Sequence, residues 1–443
     1  MLIQARTEAE WMRKALLMLR IACGQAGIHC PSVNDPLEAF AEILFSSGTR
    51  GLVLLIDEYD APLTHHLHEP DVFALQEGCL ESLFSIIKNG NEYLRFFMMI
   101  GVTKFSHTGI FSGFNDLKDI SCDVNFGSLL GYTDGETETC FGEYLENAGR
   151  VVKLDRKDLL SALRRNYDGY CFTPDTSVRV YAPWSVLNFL QSPEKGFFNW
   201  WYESAGQPAV LKNFSEIRGL DSPSVFFNER KVGVGKFYAG QEYEDLDETL
   251  LLFQGGYLSI EKFGDNEVSF RYPNEEVSDS LARYCAEKLL GGRSADDVGI
   301  ENLIRALDAD DPSRVIADFN RILTGIPCDS AFIGSENWCR NALALVLQGA
   351  RVRTAAERHN AFGRSDLEIF RSHVHWFFEF KFARSNDLLE RRLNEAEAQL
   401  RSRRYGEDDL SDRRMIRVAA VFSGTNRRIS AWRRVDDAKL SDA

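Results

Sequence analysis

The sequence predicts an α/β protein: a parallel sheet with helices, followed by a small mixed αβ domain. Two apolar runs in the first quarter of the 443 residues end in polar side chains, a pattern typical of parallel strands that lead into a site. Apolar residues at helical spacing precede them at residues 8–25. Near the C-terminus, two short apolar strands joined by a three-residue turn carry charged residues where apolar ones are expected.

Composition and charge limit the classes of function. A hydrophobic content of 44% and a charged content of 26% are ordinary for a globular protein, and the length predicts two or three domains. The net charge of −15 argues against a protein that coats nucleic acid by charge alone. From residue 331 onward, however, 21 Lys and Arg face 16 Asp and Glu, which leaves 30 against 50 upstream. The C-terminal segment is therefore the basic one, as a phosphate-binding surface or a solvated arginine-rich face would be.

Cysteine usage and hydropathy bear on the compartment. The nine cysteines are scattered without a CxxC pair, which favours a reducing cytoplasm and offers no zinc site. No signal peptide follows Met1, and the longest apolar run, 96–102, is too short to span a bilayer. We therefore expect a cytoplasmic protein with no membrane partner.

The first apolar strand, at 51–56, runs into Asp57 and Glu58, which is the Walker B pattern of P-loop ATPases. In that role Asp57 would hold Mg²⁺ through water and Glu58 would polarise the attacking water. The second strand, at 95–102, ends at Thr103, which suits a sensor beside the γ-phosphate. These three residues are the candidate nucleotide-binding residues.

Both strands belong to a longer series of motifs. The series includes Ile-Asp-Glu-Tyr-Asp at 56–60, Gly-Val-Thr-Lys-Phe-Ser at 101–106, Ile-Phe-Ser-Gly at 110–113, Tyr-Asp-Gly-Tyr-Cys-Phe at 167–172, Ala-Pro-Trp-Ser at 182–185, Gly-Gly-Tyr-Leu at 255–258 and Tyr-Pro-Asn-Glu-Glu-Val at 272–277. It resembles a bacterial family of AAA-ATPase-like proteins. The resemblance implies a P-loop-type sheet, here expected to be truncated before Walker B, and a nuclease domain at the C-terminus.

The chain departs from that family at the phosphate-binding loop. Family members begin with a Walker A element, GxxxxGK[ST], and the nearest imitation here, at 233–237, lacks the first glycine and the final Ser or Thr. It also follows Walker B instead of preceding it, so we interpret it as a turn. Without the backbone nest and its lysine, ATP binding loses its main anchor. We therefore expect no ATP hydrolysis by this chain alone, with Asp57 and Glu58 retained as scaffold.

The C-terminal hairpin gathers two carboxylates and an amine. Glu379 and Lys381 are two apart on one strand and project from the same face, and Asp366 opens the partner strand. Burying such charges on an apolar hairpin is unfavourable unless they serve a purpose. A Mg²⁺ ion would supply one, because it prefers oxygen ligands and activates water for attack on a phosphate.

This arrangement resembles the PD-(D/E)XK nuclease superfamily, in a branch that carries an E…GRxD variant. Glu357 precedes Gly-Arg-Ser-Asp at 363–366, Glu336 opens an upstream helix, and Gln399 precedes Arg-Arg-Tyr at 403–405. The resemblance implies that Mg²⁺ or Mn²⁺ is held by Asp366, Glu379 and the carbonyl of Phe380. It implies that the catalytic set is Asp366, Glu379, Lys381, Gln399, Glu357 and Glu336.

Three segments follow from these patterns: an AAA-ATPase-like domain at 1–215, a connecting region at 216–325, and a nuclease-like domain at 326–443. The connecting region is expected to hold strands at 253–261 and 267–272 and helices at 278–290 and 300–309. The nuclease core is expected to comprise a helix from Glu336, a strand reaching Glu357, the hairpin, a helix with Gln399 and a closing strand at 415–422.

We therefore predict a metal-dependent nuclease that hydrolyses phosphodiester bonds of nucleic acid, with DNA as the expected partner, attached to a degenerate ATPase-like module. Two other functions stay open: an ATP-binding regulatory protein of AAA type, and a catalytically dead, partner-binding relic of such a fusion. A solvated Glu379–Lys381 pair on an edge strand is the structural alternative. A homo-oligomer is also left open.

Overall fold

The computed structural model describes residues 2–104, 117–203, 224–227, 229–239, 247–327, 335–360, 363–403, 405 and 413–435. The motif residues 105, 106 and 110–113, the residue Arg404 and the predicted boundary at 215 lie outside the described residues. The chain forms two compact units, Met1–Arg218 with Glu229–Glu276, and Gly219–Asn228 with Val277–Ala443. Residues 216–325 are divided between them, and the division into three segments stays a prediction.

Helices make up most of the described regular structure. They are α1 Glu8–Ala26, α2 Pro36–Ser46, α3 Ala61–Thr64, α4 Pro70–Asn89, α5 Asp134–Cys140, α6 Gly142–Val152, α7 Arg156–Tyr167, α8 Pro183–Gln191, α9 Trp200–Glu203, α10 Ser224–Phe227, α11 Val234–Tyr238, α12 Glu248–Gln254, α13 Glu275–Leu289, α14 Ile300–Asp308, α15 Pro312–Gly325, α16 Glu336–Gly349 and α17 Leu389–Ser402.

The strands form four separate sheets. They are β1 Leu52–Ile56, β2 Leu94–Met99, β3 Arg230–Gly233, β4 Ser259–Phe263, β5 Glu267–Arg271, β6 Thr354–Ala356, β7 His359–Asn360, β8 Gly363–Arg364, β9 Leu367–Phe370, β10 Val374–Ala383, β11 Arg414–Ser423 and β12 Arg428–Val435. The sheet orders are β1-β2, β3-β5-β4, β7-β8 and β12-β11-β10-β9-β6. The predicted α/β class is confirmed, with a parallel pair in the first unit and a mixed sheet in the second.

The parallel pair in the first unit is β1 with β2, as the apolar runs predict. Their burial differs from the expectation. One face packs on a core that includes Leu52 and Leu54, but Val53, Leu55 and Phe96 of the other face are 51%, 67% and 52% exposed. The prediction of a fully buried strand was wrong because an apolar run does not reveal how many layers cover a sheet.

Two details of the connecting region also differ from the expectation. The strand predicted to begin at Phe253 begins at Ser259, because Asp247 caps a helix by accepting hydrogen bonds from the backbone N–H groups of Thr249 and Leu250. The turn predicted at 233–237 is the end of β3 followed by the short helix α11, where Lys236 pairs with Asp247.

The second unit is built on the five-stranded sheet. Its central strand β10 pairs in parallel with β11 and antiparallel with β9. On one face Phe377 packs against the apolar side of α17, including Leu393 and Leu400. On the other face Phe378 contacts Phe319 of α15, with ring centroids 5.2 Å apart. The sheet is thus covered on both sides, which buries the polar residues on its odd-numbered face.

Candidate functional site

The register of β9 and β10 brings the two predicted carboxylates together. Phe377 pairs with Glu368 and Phe378 with Leu367, so Asp366 lies opposite Glu379 at the end of the pairing. Asp366 is 6% exposed and Glu379 is fully buried. The backbone N–H of Phe380 donates to Oδ2 of Asp366 at 2.7 Å, which fixes the carboxylate against β10. The predicted convergence of these acids is therefore observed.

Lys381 completes this group. Its Nζ lies 2.8 Å from Oε1 of Glu379, 2.9 Å from the carbonyl oxygen of Phe380 and 3.7 Å from Oε1 of Glu336. Burial by itself lowers the pKa of Lys381, but the charges of Glu379, Glu336 and Asp366 outweigh it and raise the pKa. The side chain is therefore an ammonium at neutral pH.

Glu336 reaches the site from the first turn of α16. Ser335 caps this helix by accepting a hydrogen bond from the backbone N–H of Trp338 at 3.2 Å. A carboxylate suits this position because of the positive end of the helix dipole. Burial raises the pKa of Glu336, and the attraction of Lys381 opposes that rise. The predicted helical glutamate therefore lies beside the predicted lysine.

Negative charge is in excess at the hairpin. Burial, followed by the charge of Asp366, raises the pKa of Glu379 to about 7, although Lys381 acts in the opposite direction. A cation would relieve this repulsion. The available donors are the carboxylates of Asp366 and Glu379 and the carbonyl of Phe380, all hard oxygens of the kind that Mg²⁺ and Mn²⁺ accept.

These residues fit a divalent cation that keeps some of its waters. Among the described residues there is no group of three or more His, Cys, Asp or Glu side chains arranged to hold a metal. Two carboxylates and a carbonyl leave several positions of an octahedral ion for water or substrate, which is the usual way that Mg²⁺ is bound in phosphate chemistry.

Gln399 approaches the site through Tyr405. The Tyr405 hydroxyl lies 2.6 Å from the carbonyl oxygen of Arg364 and 3.2 Å from Oε2 of Glu379. Burial and then the Glu379 charge raise the pKa of Tyr405, while a hydrogen bond with the side chain of Gln399 lowers it. Tyr405 therefore connects the helix α17 to the buried carboxylate, a role that the sequence pattern did not assign to it.

Glu357 lies at the edge of the group and is held by arginines. Its Oε1 is 2.8 Å from Nη2 of Arg340 and 3.2 Å from Nη2 of Arg364. Nη1 of Arg340 is also 3.7 Å from Oδ1 of Asp366. Sequence reasoning missed Arg340. Its spacing of four from Glu336 on the same helix was the available signal, because residues at i and i+4 share a helix face.

A cleft of about 460 Å³ opens beside the lysine. It is lined by Ser335, Glu336, Lys381, Phe382, Arg384, Leu388 and Arg392. Arg384 is exposed and has no ion-pair partner among the described residues. Arg392 pairs with Glu395 at 2.6 Å, and its Nε has no hydrogen-bond partner in that part of the chain. Two guanidiniums are thus available next to the carboxylates.

In the first unit, Asp57 and Glu58 follow β1 and are exposed. The carboxylate of Asp57 accepts a hydrogen bond from the backbone N–H of Glu58 at 2.9 Å. Thr103 is buried after β2, and its hydroxyl has no hydrogen-bond partner within the described residues. The residue that joins the two strand ends is Asp60, whose carboxylate accepts from the N–H groups of Val102 at 3.0 Å and Thr103 at 2.6 Å. Sequence reasoning assigned no role to Asp60.

Comparisons with known proteins agree with both resemblances. Residues 13–111 match the family model described as predicted AAA-ATPase, and residues 334–432 match that of the PD-(D/E)XK nuclease superfamily. An uncharacterized protein in the vnfD 5' region of Azotobacter chroococcum mcd 1 is 29% identical over 367 residues, which cover 80% of this chain and 67% of the relative. No solved structure matches the chain significantly. The described helices include none that is long and apolar enough to cross a membrane.

Proposed function

We propose, from the AAA-ATPase-like and PD-(D/E)XK domains that the chain carries, that it is a metal-dependent nuclease hydrolysing phosphodiester bonds of nucleic acid. The observation that carries the proposal is the meeting of Asp366, Glu379 and Lys381 on one hairpin. Their buried charges are stabilised by few partners, and the strong shift of the Glu379 pKa is typical of a functional site.

In this proposal the oxygens of Asp366, Glu379 and the Phe380 carbonyl hold Mg²⁺ or Mn²⁺. The bound ion would supply an activated water and stabilise charge on the phosphate. The Lys381 ammonium orients that water and stabilises the developing negative charge. Glu336 holds the ammonium from the α16 side, and Gln399 acts through Tyr405. Glu357 serves Asp366 through Arg340.

The proposed substrate is nucleic acid, with DNA as the first to test. The cleft beside Lys381 carries Arg384 and Arg392, and guanidiniums are the side chains best suited to bind backbone phosphates. The contact would be sequence-independent, because it is made to phosphate and not to the base edges. This supports a nuclease that follows the backbone on its own basic unit, although the chain as a whole is acidic.

The test is cleavage of single- and double-stranded DNA and RNA by the full chain, with Mn²⁺ and with EDTA. The wild type should cleave at least one of these substrates only when the metal is present. Lys381→Ala should lower the rate by about 100-fold or more, as expected when a charge stabiliser is lost. Arg391→Gln, on the exposed side of α17, is the control that should leave the rate unchanged. Cleavage in EDTA, or no cleavage of any substrate, would contradict the proposal.

We also propose that the AAA-ATPase-like part acts as a scaffold in this chain. Asp57 and Glu58 are exposed, and the sequence contains no GxxxxGK[ST] loop to anchor phosphates. ATP with Mg²⁺ should therefore produce no shift in the melting temperature of the chain alone. A shift that disappears in Asp57→Asn would favour the rival function, an ATP-binding regulator.

A further inference from the structure

We infer that the hairpin site binds one divalent cation and that the guanidinium of Arg340 takes the place of a second. The inference rests on the proposed function, since it assumes that Asp366 and Glu379 hold a metal. It concerns how many ions the site accepts, and a count of bound ions tests it without any measurement of cleavage.

Arg340 is a fixed cation inside the site. It is 3% exposed, and its guanidinium lies between Glu357, 2.8 Å from Nη2, and Asp366, 3.7 Å from Nη1. Its Nε donates to Oδ1 of Asn341 at 3.1 Å, while Nη1 has no hydrogen-bond partner among the described residues. A buried guanidinium with this geometry cannot turn to solvent, so its charge stays next to Asp366.

The acid that could share a second ion with Asp366 is already engaged. Oε1 of Glu357 contacts both Arg340 and Arg364. The backbone of Glu357 is fixed as well, because its N–H donates to the carbonyl oxygen of Asp366 at 3.2 Å and its φ of 55° is left-handed. A non-glycine residue in that region is held there by its surroundings, so Glu357 is not free to turn toward an ion elsewhere.

The charges of the site agree with one ion. Four carboxylates converge there, those of Glu336, Glu357, Asp366 and Glu379. The cations Lys381 and Arg340 balance two of them, and one divalent ion balances the remaining two. A second divalent ion would leave an excess of positive charge in a largely buried place, which is unfavourable. Counting the half-exposed Arg364 moves the balance further against a second ion.

The experiment is a titration of the full chain with Mn²⁺, without nucleic acid, followed by calorimetry and by the electron paramagnetic resonance signal of free Mn²⁺. Wild type should bind one ion per chain. Arg340→Gln should bind two, because it frees Glu357 and adds a negative charge beside Asp366. The double variant Arg340→Gln with Glu357→Gln should return to one ion. Arg391→Gln, which removes an exposed arginine of α17, should bind one ion with unchanged affinity.

The outcomes separate this inference from the proposed function. Two ions on wild type, or one ion on a folded Arg340→Gln, would overturn the role of Arg340 while leaving the nuclease proposal intact. No ion on wild type would overturn both. If Arg340→Gln does not fold, the wild-type count still decides how many ions are bound. Arg340→Lys, which keeps the charge, should then bind one ion, and a count of two would overturn the replacement of an ion by charge.

Discussion

The pKa of Glu379 leads to a quantitative prediction about stability in the metal-free protein. Burial and Asp366 raise it from an ordinary 4.5 to about 7. Between these pH values the folded protein binds the proton more tightly than the unfolded chain does, so stability falls as the pH rises through this window. Glu379→Gln removes this titration, since glutamine carries no charge at any pH.

The magnitude follows from the two pKa values. At about 1.4 kcal/mol per pH unit, ionising Glu379 costs up to about 3 kcal/mol of folding free energy above the folded-state pKa. The stability of Glu379→Gln relative to wild type should therefore increase by up to about 3 kcal/mol between about pH 4 and about pH 8. A constant difference from the lost Lys381 contact does not change with pH in that window.

Urea unfolding in EDTA measures this difference, with the free energy of unfolding determined at several pH values for both proteins. Glu390→Gln is the matched control, because Glu390 is an exposed acid on α17 and its loss should give no pH-dependent gain. If the gain of Glu379→Gln were the same at all pH values, or larger in acid, the buried and repelled carboxylate would be refuted.

Three further predictions concern other parts of the molecule. Arg384→Gln and Arg392→Gln should each weaken nucleic-acid binding and reduce its log–log salt dependence by about 0.9 per lost phosphate contact on duplex; fluorescence anisotropy with Ca²⁺ at several salt concentrations measures this, and equal slopes for these variants and Arg391→Gln would contradict the cleft. Tyr405→Phe should destabilise the second unit by about 1–3 kcal/mol, since buried acceptors lose their donor; an unchanged urea midpoint would count against it. Asp60→Ala should destabilise the first unit by a similar amount, because two backbone N–H groups lose their acceptor; amide hydrogen exchange at the end of β2 should quicken, and unchanged exchange would contradict the role of Asp60 in joining the strands.

The hairpin was predictable because strand geometry is local. Residues two apart share a face, so Glu379 and Lys381 had to project together. The opposing position of Asp366 depended only on a short turn between the strands, and the antiparallel register places it there. The helix of Glu336 was also local, since Ser335 is a strong N-cap. These elements required no knowledge of long-range packing.

Arg340 could not be recognised in the same way. An arginine on an amphipathic helix usually lies in solvent, and only the packing of α16 against the sheet buries this one next to Asp366. The exposure of Val53 and Leu55 was missed for the same reason. The number of layers over a strand is a tertiary property, and the strand's own residues do not encode it.

The cap at Asp247 shows a local signal that the apolar pattern concealed. The residues that follow it, Leu250 to Leu252, are consecutive and buried, which is compatible with a strand or a helix. Asp247 before them was the sign of a helix start, and weighing it would have moved the strand to Ser259.

Metal binding and cleavage measured together, on the same preparations, test the central claim most directly. Lys381→Met should bind Mn²⁺ yet lose cleavage under single-turnover conditions, because the amine serves the water and the phosphate. Asp366→Asn should lose both the bound Mn²⁺ and the cleavage. If Lys381→Met cleaved at the wild-type rate, or Asp366→Asn bound Mn²⁺ as wild type does, the hairpin would not be the centre of a metal-dependent nuclease.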